Sequence, residues 1–192
     1  MNKEVVEVFY PVNQQAWRAW LMENHESKQS VWLVYYKKST NIPTISWSNA
    51  VDEALCFGWI DSKHVAIDEQ KSQQFFSRRK AISTWSKINK EKIERLSTDG
   101  LMTKAGYDAV AVAKQNGSWT ILDDAEALKM PEDLEIALKA GAEAMDFFLS
   151  LSKSVRKAML QWLVLAKRQE TRQNRIAEIV ALAEKKQKPK QF

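Results

Sequence analysis

Every candidate β-strand of this chain lies before residue 80, and the apolar side chains that follow recur only at helical spacing. The segment 31–37, VWLVYYK, combines β-branched and aromatic residues without alternation, which is typical of a strand covered on both faces. Segments 57–67 and 73–79 predict two more strands, and the polar loop 68–71 between them predicts a β-hairpin. A chain of 192 residues with so few strands is restricted to a small sheet that helices cover.

Helices are predicted before, between and after these strands. Asn13 and Ser46 are each suited to cap the start of a helix. Gly100 and Gly117 each follow an amphipathic segment, as glycine does just past the end of a helix. The segment 118–130 is predicted to be an irregular loop. The helices are expected at 13–24, 47–56, 86–98, 103–115, 132–139, 142–150, from Ser152 onward, and 170–186.

These elements predict an α+β fold: a small antiparallel sheet with a β-hairpin packed by helices, followed by a helical C-terminal subdomain. We expect an α+β domain over 1–125, which holds most of the eight tryptophans of the chain. We expect a helical subdomain over 126–192 that packs on the first domain.

The positive charge of the chain, +5 overall, is distributed unevenly. Basic residues are in excess over 62–96 and 153–192, whereas acidic residues are in excess over 97–152. One interpretation is that the acidic segment pairs with the C-terminal basic segment inside the molecule. The other is that one basic segment faces an anionic partner.

The predicted strand 57–67 carries two charges on an otherwise apolar face. Because side chains alternate along a strand, Trp59, Asp61 and Lys63 are expected on one face. Charges among large apolar groups are costly unless paired or solvated, so Asp61 and Lys63 either pair with each other or lie where the face opens to solvent. Alternatively, they form a polar site in an aromatic pocket with Trp59 as one wall. In that case Asp61 and Lys63 are the candidate catalytic residues.

A basic cluster follows the predicted hairpin. Arg79 and Lys80 end the second strand, and Trp85, Lys87 and Asn89 come just after it. Arginine forks and the amides at a helix start both suit a phosphate or a carboxylate, so these five residues, together with Trp59, are the candidate binding residues for a small anion. A solvated strand end is the alternative. Nucleic acid is disfavoured because the net charge is modest and the chain has no DNA-binding motif.

A second basic surface is predicted near the C-terminus. Arg168, Arg172 and Arg175 are spaced so that they share one face of a continuous helix. They either pair with the acidic segment at the protein surface or form an interaction surface for an anionic partner.

Other chemistry is weakly represented in the sequence. Cys56 is the only cysteine, and a lone thiol without a signal sequence predicts a cytoplasmic protein. Its apolar neighbours predict a buried, inert side chain. His25 and His64 have no metal-ligand spacing, and no cofactor-binding motif is present, so neither a metal nor a cofactor is expected. No apolar stretch is long enough to span a membrane.

Four stretches of the sequence occur together in an order that is recognisable. The clearest is 54–63, ALCFGWIDSK. The others are 31–38, with Val31-Trp32-Leu33 and Lys37-Lys38; 76–96, from Phe76-Ser77 to Glu94-Arg95-Leu96; and 166–176, from Ala166-Lys167-Arg168 to Arg175-Ile176. Together they resemble the YdeI/OmpD-associated family, also called bacteriocin-protection proteins, over about residues 13–187.

The resemblance implies a bacterial role in protection against bacteriocins or cationic antimicrobial peptides, and it brings no catalytic mechanism. In the family, prolines usually flank the Arg-Lys pair that follows Phe-Ser. Arg78 and Ala81 stand at those positions in this chain, so the local turn is expected to differ.

Three functional hypotheses result. The first is a module that binds a small anion or has a regulatory role, linked to envelope stress or antimicrobial-peptide tolerance. The second is an enzyme that acts on a phosphorylated or carboxylated small molecule, with Asp61 as the general base. The third is a protein–protein interaction module that uses the arginine surface formed by Arg168, Arg172 and Arg175.

Overall fold

The structure, a computed structural model, describes residues 6–141 and 143–192. The chain divides into two compact units. The first comprises the described residues up to Ser83 together with Ile88–Trp119, and the second comprises Thr84–Lys87 and Thr120–Phe192. The main division lies between residues 119 and 120. The expected domains over 1–125 and 126–192 remain a prediction.

The first unit contains a four-stranded mixed sheet and the helices around it. The strand order is β1-β2-β4-β3, in which β4 pairs antiparallel with both of its neighbours and β1 pairs parallel with β2. The elements are β1 (Val8–Phe9), α1 (Gln14–Asn24), β2 (Ser30–Tyr36), α2 (Trp47–Cys56), β3 (Trp59–Ala66), β4 (Lys71–Arg78), α3 (Lys87–Thr98) and α4 (Lys104–Gln115).

The predicted α+β class, the β3–β4 hairpin and the helix caps are confirmed. The side chain of Asn13 accepts a hydrogen bond from the Ala16 amide at 2.8 Å, and that of Ser46 accepts one from the Asn49 amide at 3.1 Å. The sheet was expected to be antiparallel throughout, whereas β1 is parallel to β2. This strand has only two residues, too few for a periodic pattern to show in the sequence.

The core of the first unit is built from aromatic side chains between α1 and the sheet. Trp17 and Trp20 of α1 stack with ring centroids 5.1 Å apart. Trp20 meets the edge of Trp59 on β3 at 5.8 Å, and Trp17 meets Phe76 on β4 at 5.5 Å. Large rings in such contacts contribute more stability than their buried area alone, so this cluster fixes α1 against β3 and β4.

A β-bulge interrupts β3. Asp61 and His64 lie opposite Phe76 and Gln74 of β4, so β3 has one more residue than β4 across this interval. A bulge shifts the alternation of side chains, which brings His64 rather than Lys63 onto the face that carries Asp61. The prediction that Lys63 shares this face was therefore wrong, because strict alternation assumed an unbroken ladder. As β3 is an edge strand, its bulge and the exposed Lys63 also disfavour pairing with another chain.

Helix α4 approaches the end of α2 closely at Gly106. A Cβ atom on Gly106 would lie 2.3 Å from the carbonyl oxygen of Cys56, the last residue of α2. That same oxygen accepts hydrogen bonds from the amide of Thr103 at 3.1 Å and from its hydroxyl at 2.7 Å. The contact therefore depends on a glycine, whereas a Cβ at Gly100 would meet no atom.

The substitution Gly106→Ala is expected to lower the free energy of unfolding by about 3 kcal/mol, because the added methyl group must displace backbone rather than a flexible side chain. Gly100→Ala is the control. It has a φ of 68° but open space around it, so we expect a loss of only about 1–2 kcal/mol. Urea denaturation of both variants tests this, and equal losses would contradict the proposed close contact.

The second unit is helical. Its elements are α5 (Asp123–Glu126), α6 (Glu132–Ala140), α7 (Ala144–Ser150), α8 (Lys153–Val164) and α9 (Gln169–Ala183). Its core includes Leu134, Leu138, Phe148, Leu160, Leu163 and Ile179. Because α5 is a single turn, it shows no helical period in the sequence, and the prediction of an irregular loop over 118–130 was wrong there. Within the described ranges, no helix is both long and apolar enough to cross a membrane.

Candidate ligand-binding site

The first unit contains a cavity of about 810 Å³ at the end of the sheet where β3 and β4 join. Its volume falls in the range of about 300–1,000 Å³ that is usual for small-molecule sites. The wall is formed by the ends of β2, β3 and β4, the start of α2 and the segment between β2 and α2. The lining residues are Tyr35, Tyr36, Lys38, Thr44, Ile45, Ser46, Trp47, Asp61, Ser62, His64, Ser72 and Gln74.

Asp61 is the acidic group of this cavity, and two neutral donors hold its side chain. The indole nitrogen Nε1 of Trp47 donates to Oδ2 of Asp61 at 2.9 Å, and Nε2 of Gln74 donates to the same oxygen at 3.0 Å. Within the described ranges, no donor bonds to the second oxygen, Oδ1, and no cation lies within ion-pair distance of the carboxylate. Asp61 therefore retains an acceptor for another molecule.

Gln74 is the buried support of this carboxylate. Its side chain is 4% exposed, and Nε2 also donates to the carbonyl oxygen of Ser62 at 3.2 Å. That carbonyl belongs to the bulge of β3, so the extra residue supplies an acceptor that orients Gln74 toward Asp61. The bulge thus shapes the cavity as well as the strand edge.

Tyr35 supplies a second polar group to the cavity. Its side chain is only 8% exposed, and the hydroxyl oxygen is buried without a hydrogen-bond partner in the part of the chain that the structure describes. Burial raises the pKa of Tyr35, and the negative charge of Asp61 raises it further. The hydroxyl therefore stays protonated at neutral pH and is available as a donor.

The segment between β2 and α2 forms the remaining wall. The Thr44 hydroxyl accepts a hydrogen bond from the Tyr36 amide at 3.2 Å, and the Tyr10 hydroxyl donates to the carbonyl of Pro43, which together tie this segment to the sheet. Lys38 lies on it and is exposed. Next come Ser46 and Trp47, where the start of α2 carries a partial positive charge.

Asp61 is the sequence-predicted site residue that lines this cavity. Trp59 does not line it, because its ring is fully buried in the aromatic core and its Nε1 donates to the carbonyl of His25 at 3.3 Å. Lys63 is exposed on the other side of the bulge. Both were expected beside Asp61, and the structure brings neither of them into the cavity wall.

The predicted basic cluster is not part of the cavity wall either. Arg79 is half-buried, and burial lowers its pKa to about 10 although the charge of Asp61 acts in the opposite direction. Lys80 and Lys87 are exposed, Asn89 is half-buried and Trp85 is buried. As anion-binding residues, these five remain a prediction.

Arg78 has a structural contact at the position where the family pattern usually has proline. Its Nη2 donates to the carbonyl of His25 at 2.8 Å, to that of Lys28 at 3.2 Å and to that of Glu26. These carbonyls follow the end of α1, where backbone oxygens lack helical partners. The guanidinium therefore closes the turn after α1 through its Nη2.

Cys56 is buried, as predicted. Burial raises the pKa of its thiol to about 11, and the charge of Glu53 adds to the effect. The thiol is therefore protonated at neutral pH. The described residues contain no group of three or more His, Cys, Asp or Glu side chains placed to hold a metal ion.

The C-terminal arginines bind groups of their own unit. Arg172 binds Asp133 with two hydrogen bonds, Nε to Oδ2 at 2.6 Å and Nη2 to Oδ1 at 2.8 Å. Arg175 donates to the carbonyl of Trp162, and its guanidinium lies 4.7 Å from that indole ring. Arg168 precedes α9 and is exposed. Asp133 belongs to the acidic segment, so Arg172 pairs with that segment.

Two protein-family models match the chain, each over a separate region. Residues 9–109 match a domain of unknown function (DUF8412), and residues 127–186 match the bacteriocin-protection, YdeI or OmpD-associated family. The chain belongs to the DUF8412 family, whose match covers more than half of it, and it carries a bacteriocin-protection, YdeI or OmpD-associated domain at 127–186. No curated protein and no solved structure matches it.

The family inferred from the sequence is confirmed by the match at 127–186. The three earlier stretches that carried the resemblance, 31–38, 54–63 and 76–96, lie in the region matched by the domain of unknown function. Neither family description names a ligand or a reaction. The function of the cavity must therefore be inferred from its own geometry.

The pairing of Arg172 with Asp133 predicts a pH-dependent contribution to stability. The Arg172 guanidinium lowers the pKa of Asp133, so the contribution is present above the ordinary aspartate pKa of about 3.9 and is lost as pH falls through the lower, folded value. We expect Arg172→Met to cost about 1 kcal/mol at neutral pH, since the pair is partly solvated, and less near pH 2. Urea denaturation at both pH values measures this.

Arg168→Met is the matched control for that experiment. The Arg168 side chain forms no cap hydrogen bond at the start of α9, so its loss should change the free energy of unfolding by no more than about 0.5 kcal/mol at either pH. Equal effects of the two substitutions would show that the Arg172–Asp133 pair does not stabilise the unit.

Proposed function

We propose that the first unit is a binding module for a small molecule with an anionic group, and that the cavity beside Asp61 is its site. The observation that carries this proposal is Tyr35, a residue of the cavity wall whose hydroxyl is buried without a partner among the described residues. A buried polar group left unsatisfied costs about 1–3 kcal/mol. A ligand that accepts a hydrogen bond from this hydroxyl removes that cost.

The anionic group is inferred from the donors along the wall. The Tyr35 hydroxyl is protonated, Lys38 brings a cationic side chain, and Ser46 and Trp47 begin α2, whose first amides favour negative charge. Within the described ranges, no carboxylate lies within ion-pair distance of Lys38. A carboxylate or phosphate of the ligand can therefore bind at this side of the cavity.

The cellular role is proposed from the second family match. Because residues 127–186 belong to the bacteriocin-protection, YdeI or OmpD-associated family, we propose that ligand binding by the first unit has a regulatory role in tolerance of bacteriocins, antimicrobial peptides or related envelope stress. The lone, buried thiol of Cys56 supports a cytoplasmic location, where thiols stay reduced.

The substitution Tyr35→Phe tests the site because it separates stability from binding. Without ligand, the variant is expected to be more stable than the wild type by about 1 kcal/mol, since an unsatisfied buried hydroxyl is removed. With ligand, it should lose the thermal stabilisation that binding gives to the wild-type protein. Melting temperatures with and without a panel of phosphate, sugar phosphates, nucleotides, carboxylates and amino acids measure both effects.

Two control variants accompany this experiment. Tyr107→Phe removes an exposed hydroxyl on α4 and should change neither stability nor binding. Lys38→Met should weaken binding of the ligand, whereas Lys37→Met, on a neighbouring exposed lysine that does not line the cavity, should not. The proposal fails if no member of the panel stabilises the wild type at millimolar concentration, or if the stabilisation survives both Tyr35→Phe and Lys38→Met.

Catalysis at the same site is a second candidate function. The observation that favours it is Asp61, which lines the cavity and whose Oδ1 accepts no hydrogen bond within the described ranges, so that it can take a proton from a bound molecule. The reaction would involve a phosphorylated or carboxylated small molecule. Product formation from a bound panel member, followed by NMR and lost in Asp61→Asn, would support it.

The structure gives less support to the interaction surface on the C-terminal arginines. Arg172 and Arg175 are bound to Asp133 and to Trp162 of their own unit, which leaves Arg168 as the exposed member of the three. A partner that binds there would have to compete with these internal contacts.

A further inference from the structure

The candidate cavity has groups of opposite charge in its wall. Asp61 is on β3, whereas Lys38 lies on the segment between β2 and α2, near the start of α2. Within the described ranges, neither side chain has an oppositely charged partner within ion-pair distance. The two groups therefore do not neutralise each other in this structure, although they line the same space.

The contacts of Asp61 define what its side of the cavity can bind. Trp47 and Gln74 donate to Oδ2 and hold the carboxylate in one orientation, while Oδ1 is left without a donor from the described residues. Both donors are neutral, so the negative charge is not neutralised by direct contact. Charge-assisted hydrogen bonds from an ammonium group are about twice as strong as neutral ones, which makes a protonated amine the ligand group that suits Oδ1 best.

Aromatic rings beside the carboxylate also favour a cation. Trp47 is 57% exposed although its indole nitrogen is bound to Asp61, and the rings of Tyr35 and Tyr36 line the same cavity. The faces of such rings attract organic cations. They also provide apolar surface for the carbon atoms that connect two polar groups of a ligand.

We infer that the ligand of this cavity is a zwitterion of the amino-acid class, with a protonated amine on Asp61 and an anionic group toward Lys38 and the start of α2. This inference rests on the proposed function, which supplies only the anionic group. It adds the amine, and with it a specific function for Asp61. The Tyr35 hydroxyl then donates to an oxygen of the ligand.

Calorimetric titration of the full-length protein with matched probes tests the inference. The zwitterions are glycine, leucine, phenylalanine, β-alanine, γ-aminobutyrate and ε-aminocaproate, which vary both side chain and charge separation. For each one that binds, two analogues follow: the acid that lacks the amine and the amine that lacks the carboxylate. We expect the zwitterion to bind at least about ten-fold more tightly than either analogue, since one charge-assisted hydrogen bond contributes about that factor.

The substitution Asp61→Asn tests whether the amine of the ligand binds to Asp61. The amide keeps the size of the side chain but removes its charge, so the variant should lose the preference for the zwitterion over the matched acid while still binding that acid. Asp108→Asn is the control, because this exposed carboxylate on α4 pairs with Lys104 and does not line the cavity. It should bind every probe as the wild type does.

The outcomes separate this inference from the proposed function. If the acid binds as tightly as the zwitterion and Asp61→Asn changes nothing, the inference is overturned but the anion-binding function stands. If the amine alone binds as tightly as the zwitterion, the anionic group is not recognised and both are overturned. If no zwitterion binds at millimolar concentration, the inference is overturned, whereas the proposed function is judged by the panel of phosphates, nucleotides and carboxylates. Both fall if binding is the same as in the wild type in Tyr35→Phe and also in Lys38→Met.

Discussion

Burial of Trp59 beneath α1 determines where the polar residues of β3 lie. The ring meets Trp20 edge to face and is fully enclosed, so its packing holds this end of β3 against α1. Asp61 follows two residues later on the same face and therefore lies just past the aromatic core, beside the start of α2. The carboxylate lies in a cavity because the tryptophan before it is fixed in the core. The candidate site is thus a direct extension of the packing between α1 and the sheet.

Much of the fold could be predicted because its signals are local. Asn13 and Ser46 were predicted to cap helices, and both do so in the structure. The polar loop 68–71 joins the two strands of the hairpin, as predicted. Each of these features depends on residues close together in the chain. Strand β1 and the single turn α5 were not predicted, since elements of two and four residues carry no period.

The site was predicted only in part, because its remaining members depend on contacts that are distant in sequence. Asp61 stood out as a charge on an apolar face. Tyr35 lies inside a continuous apolar strand, where nothing in the sequence separates a cavity residue from a core residue. The bulge that exchanges Lys63 for His64 depends on the pairing of β3 with β4, which single-strand alternation cannot reveal. Gln74 is oriented by that same bulge.

Several arginines of this basic chain form hydrogen bonds with carbonyl and carboxylate groups of the chain itself. Arg78 closes the turn after α1, and Arg172 and Arg175 bind a carboxylate and a backbone carbonyl within the helical unit. A guanidinium has several donors in a fixed plane, so one arginine side chain can bind several oxygens at a helix end or a turn. A local excess of arginine in this chain is therefore weak evidence for an anionic partner.

The close contact between α2 and α4 also gives the protein a built-in reporter of its own opening. Cys56 ends α2 at that contact, is the only cysteine of the chain, and is protonated and inaccessible in the folded state. A thiol reagent can reach it only in molecules in which the first unit has opened around Cys56. The rate of alkylation under native conditions therefore measures how often the first unit opens locally, without any label or substitution.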